Sequence, residues 1–219
     1  MYRIAVLHTT PVTLDSIKRL IDDFLPEVEV MNILDDSLLV DVMKNNGLNE
    51  EIDFRINSYI KCAEKAKCDI LMSACSSIGE SIEKNKPLTS MTLLRIDEPM
   101  VELAVNMGNT IGVVATVRTT LEPTINLVNK KAKEKGKEVR IISNLVNNAY
   151  NELIQGNSNK HDKLVKDSVI ELSKGCNVII LAQASMAGAV SDISDNLVPI
   201  LNSPTLGIEK LREMVALKS

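Results

Sequence analysis

Two stretches of this chain are copies of one another. Cys68-Asp-Ile-Leu-Met-Ser-Ala-Cys75-Ser-Ser-Ile-Gly79 is matched by Cys176-Asn-Val-Ile-Ile-Leu-Ala-Gln183-Ala-Ser-Met-Ala187, 108 residues on, and Arg3–Leu14 is echoed by Thr110–Leu121, 107 residues on. In each copy a short apolar run breaks at small polar residues and gives way to apolar positions at helical spacing, the pattern of a buried strand entering a helix. A chain of 219 residues could be one large domain or two small ones, and the repeat selects two. At the end of the repeated inner strand the copies differ: Cys75 in the first half faces Gln183 in the second.

The remaining pattern alternates strands and helices. A strand over Arg3–Leu7 is followed by a helix over Leu14–Leu25, with Leu14, Ile17, Leu20, Ile21, Phe24 and Leu25 on one face. Val28–Leu34 reads as a strand, Asp35-Asp-Ser opens a short helix, and Asn45-Asn-Gly47 is a turn. A helix over Glu50–Lys67 feeds the strand Asp69–Ala74, and Ser77-Ile-Gly-Glu80 has the form of a capping box. Met91–Ile96 is a strand, after which Asp97-Glu-Pro99 starts a helix. The second half runs through a helix ending at Lys135 with Gly136 beyond it, a strand at Glu138–Ser143 and a polar stretch over 144–159. A helix at Lys160–Lys174, a strand at Asn177–Ala182, an edge strand at Leu197–Leu201 and a terminal helix at Leu206–Val215 complete it. Such alternation predicts an α/β fold of two pseudo-symmetric three-layer α/β/α domains with mainly parallel sheets. The expected division is 1–98 with 206–219, and 99–205.

Parallel sheets bind ligands beyond the carboxyl ends of their strands, so the site is expected in an interdomain cleft lined by strand-end loops. Those loops carry His8-Thr9-Thr10, Cys75-Ser76-Ser77, Thr116-Val-Arg118-Thr119-Thr120 and Gln183-Ala184-Ser185. They are rich in hydroxyls and nearly free of acids, which suits an anion such as a carboxylate held by hydroxyls and helix-start amides. A thiol at the start of a helix has its pKa lowered from about 8.5 towards neutrality, so Cys75 is a candidate base or nucleophile. It reads equally well as a core cysteine ending a buried strand.

Other chemistries find little support. The net charge of −4, two Phe and three Tyr give neither the basic footprint nor the stacking platform of a nucleic-acid binder. The run Lys130–Lys135 reads as a solvated helix face. No G-x-G-x-x-G or P-loop is present, and Ser76, Ser77 and Ser185 lack a nucleophile elbow. His8 reads as a strand-end polar residue and His161 as an exposed first-turn residue. Cys62 and Cys68 read as small buried hydrophobes. The spacing of Cys68 and Cys75 is not that of zinc ligands, so no metal site is expected. The N-terminus lacks a signal-peptide pattern and no segment is apolar enough to span a membrane, which places the expected location in the cytoplasm.

Ser-Ala-Cys75-Ser-Ser, Ala-Thr116-Val-Arg-Thr119 and Leu-Ala-Gln183-Ala-Ser-Met186, in that order and on the repeat of two α/β halves, resemble the aspartate/glutamate/hydantoin racemase superfamily. Amino-acid racemases, maleate isomerases and arylmalonate decarboxylases belong to it, and the resemblance covers essentially the whole chain. It implies cofactor-independent proton transfer α to a carboxylate, with one thiol at the Cys75 position and another at the Gln183 position on opposite faces of the substrate. It also implies that Cys75 is the surviving acid/base or nucleophile, and that Thr116 and Thr119 with Ser76 and Ser77 hold the substrate carboxylate. His8, Thr9, Arg118, Ala184 and Ser185 are the further binding candidates, and a homodimer is a common state in that family. Gln183 departs from the two-thiol pattern, because an amide has no usable proton-transfer pKa. Cys176 cannot replace it, lying seven residues or ~23 Å of extended chain away. The expected activity is a racemase or isomerase acting on a small amino acid or related acid; a one-thiol decarboxylase or lyase and a non-catalytic carboxylate-binding protein are the alternatives.

Overall fold

The structure, a computed structural model, describes residues 2–191, 193 and 198–217. The chain forms two compact units, one of residues 1–96 and 204–219 and one of residues 97–203. The first holds strands β1 (Arg3–His8), β2 (Glu29–Leu34), β3 (Ile70–Ser73) and β4 (Thr92–Arg95), all parallel, in the order β2-β1-β3-β4. The second holds β5 (Thr110–Ala115), β6 (Arg140–Leu145), β7 (Val178–Leu181) and β8 (Ile200–Asn202), parallel, in the order β6-β5-β7-β8. The two sheets have one topology. Leu197, the first residue of the expected edge strand, lies outside the described residues, and β8 pairs with β7 from Ile200 onward.

Strand periodicity sorts the first core into two layers. Ala5, Leu7, Leu71 and Leu93 face one side, where they pack with α2 (Ser37–Lys44), α3 (Glu50–Lys65) and α4 (Gly79–Asn85). Ile4, Val6, Ile70, Met72 and Leu94 face the other, against α1 (Leu14–Phe24) and α9 (Ser203–Ala216). Successive side chains of a strand point to opposite faces, so a sheet covered on both sides needs this continuous apolar run. In the second unit Val114, Ile179 and Leu181 pack under α7 (Ala149–Ile154) and α8 (Ser158–Ser173). Its opposite face meets α5 (Glu98–Met107) and α6 (Arg118–Glu134).

Hydrogen bonds at the strand ends repeat as well. The Asp69 amide donates to Arg3 O at 2.7 Å and the Asn177 amide to Thr110 O at 2.8 Å; the Ala74 amide donates to Leu7 O and the Ala182 amide to Val114 O, both at 2.9 Å. Even the side chains at the strand starts correspond. Asp69 accepts from the Arg3 amide and Asn177 from the Thr110 amide.

Several local features differ from the sequence reading. Ser77 lies inside a 3-10 turn over Ser76–Ile78, and α4 begins only at Gly79, so Ser77-x-x-Glu80 is not a helix cap. The polar stretch 144–159 contains α7, which starts after Asn148 in the left-handed region (φ 67°). Cys62 is exposed. His161 is fully buried, its Nδ1 2.7 Å from Asp162. Lys131 is also buried, pairing with Glu98 at 2.6 Å and Glu102 at 2.7 Å, which ties α6 to α5. Burial pulls the Lys131 pKa down, but these two carboxylates hold it above its usual value. A pattern of charged residues along one helix does not reveal that a neighbouring helix supplies counter-charges.

α9 docks on the first unit through a glycine. A Cβ at Gly207 would stand 2.8 Å from the backbone oxygen of Ile96 and 2.6 Å from its Cγ1. Backbone at the end of β4 cannot swing aside as a side chain can. Gly207→Ala is therefore expected to destabilise the protein by about 1–3 kcal/mol, the usual cost of overpacking, read as a fall in the urea midpoint; an unchanged midpoint would show that α9 shifts freely.

Candidate active site

Each sheet ends, at its second and third strands in spatial order, in a pair of side chains. In the first unit these are Thr9, immediately after β1, and Cys75, two residues after β3. In the second they are Thr116, immediately after β5, and Gln183, two residues after β7. The repeat thus sets a threonine hydroxyl beside a thiol in one unit and beside an amide in the other.

Around Cys75 the chain leaves β3 in extended conformation (φ −142°, ψ 123°) and turns at once into the 3-10 turn. The Ser77 and Ile78 amides and the Ser77 hydroxyl of that turn favour the thiolate form, although the sulfur makes no cap hydrogen bond to it. The Thr9 hydroxyl is buried without a hydrogen-bond partner among the described residues, and it is one of the groups near the Cys75 sulfur that favour the thiolate. Ser73 Oγ donates to Cys75 O at 3.2 Å, fixing the backbone below the thiol. Cys75 is partly open to solvent, yet the protein atoms packed around its sulfur push the thiol pKa up, against the lowering effect of Thr9, Ser77 and Ile78. This corrects the expectation from helix position alone. Desolvation wins in the resting protein, and Cys75 rests as a protonated thiol with groups that favour the thiolate nearby.

The second unit is closed differently. The Thr116 amide donates to Gln183 Oε1 at 2.6 Å, the Thr116 hydroxyl donates to the same oxygen at 3.0 Å, and Gln183 Nε2 donates to Thr116 Oγ1 at 2.8 Å. A backbone N–H can only donate, so it fixes which end of the carboxamide is oxygen. One Nε2 proton remains outside this set. Gln183, Ala184 and Ser185 are half-exposed at the start of a 3-10 turn over Ala184–Val190. Thr119, in the first turn of α6, buries a hydroxyl that has no partner among the described residues. Arg118 extends an exposed side chain that meets Glu122 at 3.3 Å.

His8 is fully buried at the end of β1, with Nε2 3.2 Å from Asn32 Oδ1 and Nδ1 unpartnered among the described residues. Burial lowers its pKa, only partly offset by Asn32, so the ring is neutral at pH 7. Ser76 and Ser77 are buried in the turn beside Cys75. Arg95 is buried at the end of β4, its guanidinium lying on Gly79 so closely that a Cβ there would be 2.3 Å from Cζ. The structure thus brings Thr9, Cys75, Ser77 and Ile78 together in one unit and Thr116 with Gln183 in the other. No three His, Cys, Asp or Glu side chains converge as a metal site among the described residues. No helix among them is long and apolar enough to cross a membrane.

A network beside this group is invisible in the sequence. Asp35, following β2, accepts from Tyr59 Oη at 2.5 Å, Ser37 Oγ at 2.7 Å and the Ser37 amide at 3.1 Å, and it pairs with Arg55. Arg55 also reaches Asp41 at 2.7 Å. The only sequence signal is that Arg55 and Tyr59 are four apart and share a helix face. Burial raises the Asp35 pKa, but Tyr59, Ser37 and Arg55 overcome it and hold the carboxyl at about 2. A folded-state value below the ordinary one contributes stability above pH ~4 that is lost as pH falls towards 2, here roughly 2 kcal/mol. The urea midpoint should therefore drop between pH 4 and 2, and Asp35→Asn should flatten that part of the profile while lowering the neutral-pH midpoint. A profile identical in both proteins would remove Asp35 from the acid transition.

Comparison with known proteins supports the resemblance. The fold matches glutamate racemase isoform RacE1 from Bacillus anthracis with a TM-score of 0.76 at 16% identity, covering 100% of this chain and 83% of that one. Allantoin racemase from Klebsiella pneumoniae matches with a TM-score of 0.68 at 14% identity, covering 100% and 89%. Glutamate racemase from Francisella tularensis, in complex with D-glutamate, matches with a TM-score of 0.71 at 15% identity, covering 99% and 82%. Comparison with curated protein sequences gives no match. The family model described as Asp/Glu/hydantoin racemase matches residues 6–211, and with nearly its whole length inside that match the chain belongs to the Asp/Glu/hydantoin racemase family.

Proposed function

We propose that this racemase-family protein is a cofactor-independent enzyme acting at the carbon α to the carboxylate of a small amino acid or related acid, with Cys75 as its acid/base. The observation that carries this reading is the position of Cys75, a partly open thiol just beyond β3 and directly before the Ser76–Ile78 turn, where the Thr9 hydroxyl, the Ser77 amide and hydroxyl and the Ile78 amide all favour the thiolate form. They lower the cost of the thiolate, which removes the α-proton while the bonding electrons pass into the carboxylate as an enediolate. The thiol so formed can then return a proton to the same carbon.

The hydroxyls of Ser76, Ser77, Thr116 and Thr119 are the proposed carboxylate ligands, with His8, Thr9, Ala184 and Ser185 completing the binding surface. Arg118, an exposed side chain engaged with Glu122, is the weakest of the binding candidates. The remaining Nε2 proton of Gln183 is suited to orient the substrate or to stabilise the oxyanion that develops. The structural relatives named for glutamate and allantoin racemisation, one of them bound to D-glutamate, support the substrate class.

The hydrogen bonds locking Gln183 to Thr116 favour a second reading. With no second thiol, Cys75 would protonate an enediolate once, as in a decarboxylase or lyase. Incubation in D2O with a panel of amino acids, hydantoins, dicarboxylates and malonates distinguishes the readings. Deuterium at the α-carbon of a recovered acid supports racemase-type chemistry, and carbon dioxide release or elimination supports the one-thiol lyase. Tight binding of a panel member with neither outcome would leave a carboxylate-binding protein.

A further inference from the structure

We propose that Asp35, Arg55 and Tyr59 are positioning residues, which hold the Thr9 hydroxyl and the Ser76–Ile78 turn against the Cys75 sulfur. The inference rests on Cys75 being the reactive group, as in the proposed function.

Both segments that flank the thiol, the end of β1 with Thr9 and the Ser76–Ile78 turn, lead back to Asp35. Its amide donates to His8 O at 3.1 Å, which fixes the backbone one residue before Thr9. Its carboxylate is clasped by Ser37, Tyr59 and Arg55, and Arg55 takes Asp41 as well, so α2 is fastened to α3 at its first turn and again one turn later. α2 in turn packs on the Ser76–Ile78 turn, and its Leu38 and Val42 share a core cluster with Ile78 and Cys75. The base of the clasp is rigid. α3 is capped by Asn49, whose Oδ1 accepts from the Ile52 amide at 2.9 Å, and it buries Ile52, Ile56, Ile60 and Ala63.

The second unit provides an internal comparison. The residue that follows β6 and donates its amide to the end of β5, to Ala115 O at 2.8 Å, is Val146. A valine cannot anchor such a clasp. The unit with the thiol has the carboxylate network, and the unit with the amide has an apolar residue at the corresponding place.

The test is the carboxamidomethylation rate of each cysteine by iodoacetamide at pH 8, read peptide by peptide by mass spectrometry, in the parent and in Tyr59→Phe and Asp35→Asn. If the clasp positions the donors, both variants react about 3- to 10-fold more slowly at Cys75, the buried Cys68 is unaffected, and kcat falls while KM stays within about two-fold. Tyr59→Phe removes a single oxygen and guards against a folding failure in Asp35→Asn. Unchanged or faster reaction at Cys75 overturns the proposal, and faster reaction at Cys68 as well identifies a merely structural staple. Thiol reactivity needs no substrate. Full turnover in Cys75→Ala would therefore refute the proposed function while the alkylation rates still judged the clasp.

Discussion

If Cys75 is the proposed acid/base, replacing it by alanine should reduce α-proton exchange about 10³-fold or more, while the unfolding free energy read from urea titration falls by no more than about 1–2 kcal/mol. A positioned acid/base contributes typically 10²–10⁴-fold, and here no second thiol shares the task, since Gln183 occupies the twin position. Cys75→Ser should be nearly as damaging. A hydroxyl would keep the contacts to Thr9 and Ser77 but cannot give up its proton in the working pH range. In the parent, exchange should rise from pH 7 to 9, because burial holds the thiol above its ordinary value and each unit of pH creates more of the base. An exchange rate already flat at pH 7 would mean that a bound substrate, or the donors around the sulfur, overcomes that burial. Exchange that survives both substitutions would end the case for Cys75, and His8, buried and neutral at the adjoining strand end, would be the next group to remove.

The repeat made the architecture legible. Equal strand-helix order in both halves implied equal sheets, and the apolar runs of the strands read at Asp69–Ala74 and Asn177–Ala182 implied burial on both faces. The strand-end location of Cys75 and Gln183 followed from the same pattern. Features that depend on a side chain's neighbours were not legible. Lys131 lies in a lysine-rich helical run, and only the packing of α5 on α6 brings Glu98 and Glu102 to it. The Ser77-x-x-Glu80 spacing suits a capping box, but Ser77 lies inside the 3-10 turn that follows Cys75, and α4 begins only at Gly79. The position of Cys75 suggested a lowered pKa because a helix start is visible in a sequence, whereas the desolvating atoms around the thiol come from several separate segments. The Asp35 clasp draws on β2, α2 and α3, and no single local window contains it.

Gln183→Cys is the substitution expected to add a reaction rather than remove one. If Cys75 is the acid/base proposed above, a single thiol takes and returns the α-proton only on its own side, so an acid should exchange its α-proton faster than it inverts. An introduced thiol at the end of β7 would supply the missing second acid/base, and the ratio of inversion to exchange should rise at least ten-fold. The gain comes with a cost. Gln183 makes three hydrogen bonds with Thr116, and its loss leaves the Thr116 amide without that acceptor, a penalty of about 1–3 kcal/mol where no water replaces it. The variant should therefore melt earlier and bind its acid more weakly even as it inverts more. Chiral chromatography of the recovered acid, with deuterium content measured on each enantiomer, checks both parts. Equal inversion in parent and variant would show that proton delivery to the second face never depended on residue 183. Parent turnover by decarboxylation, unchanged in rate by Gln183→Cys but with lower enantiomeric purity of product, would instead support the one-thiol lyase, because the introduced thiol then competes with Cys75 to protonate the same enediolate from the other side.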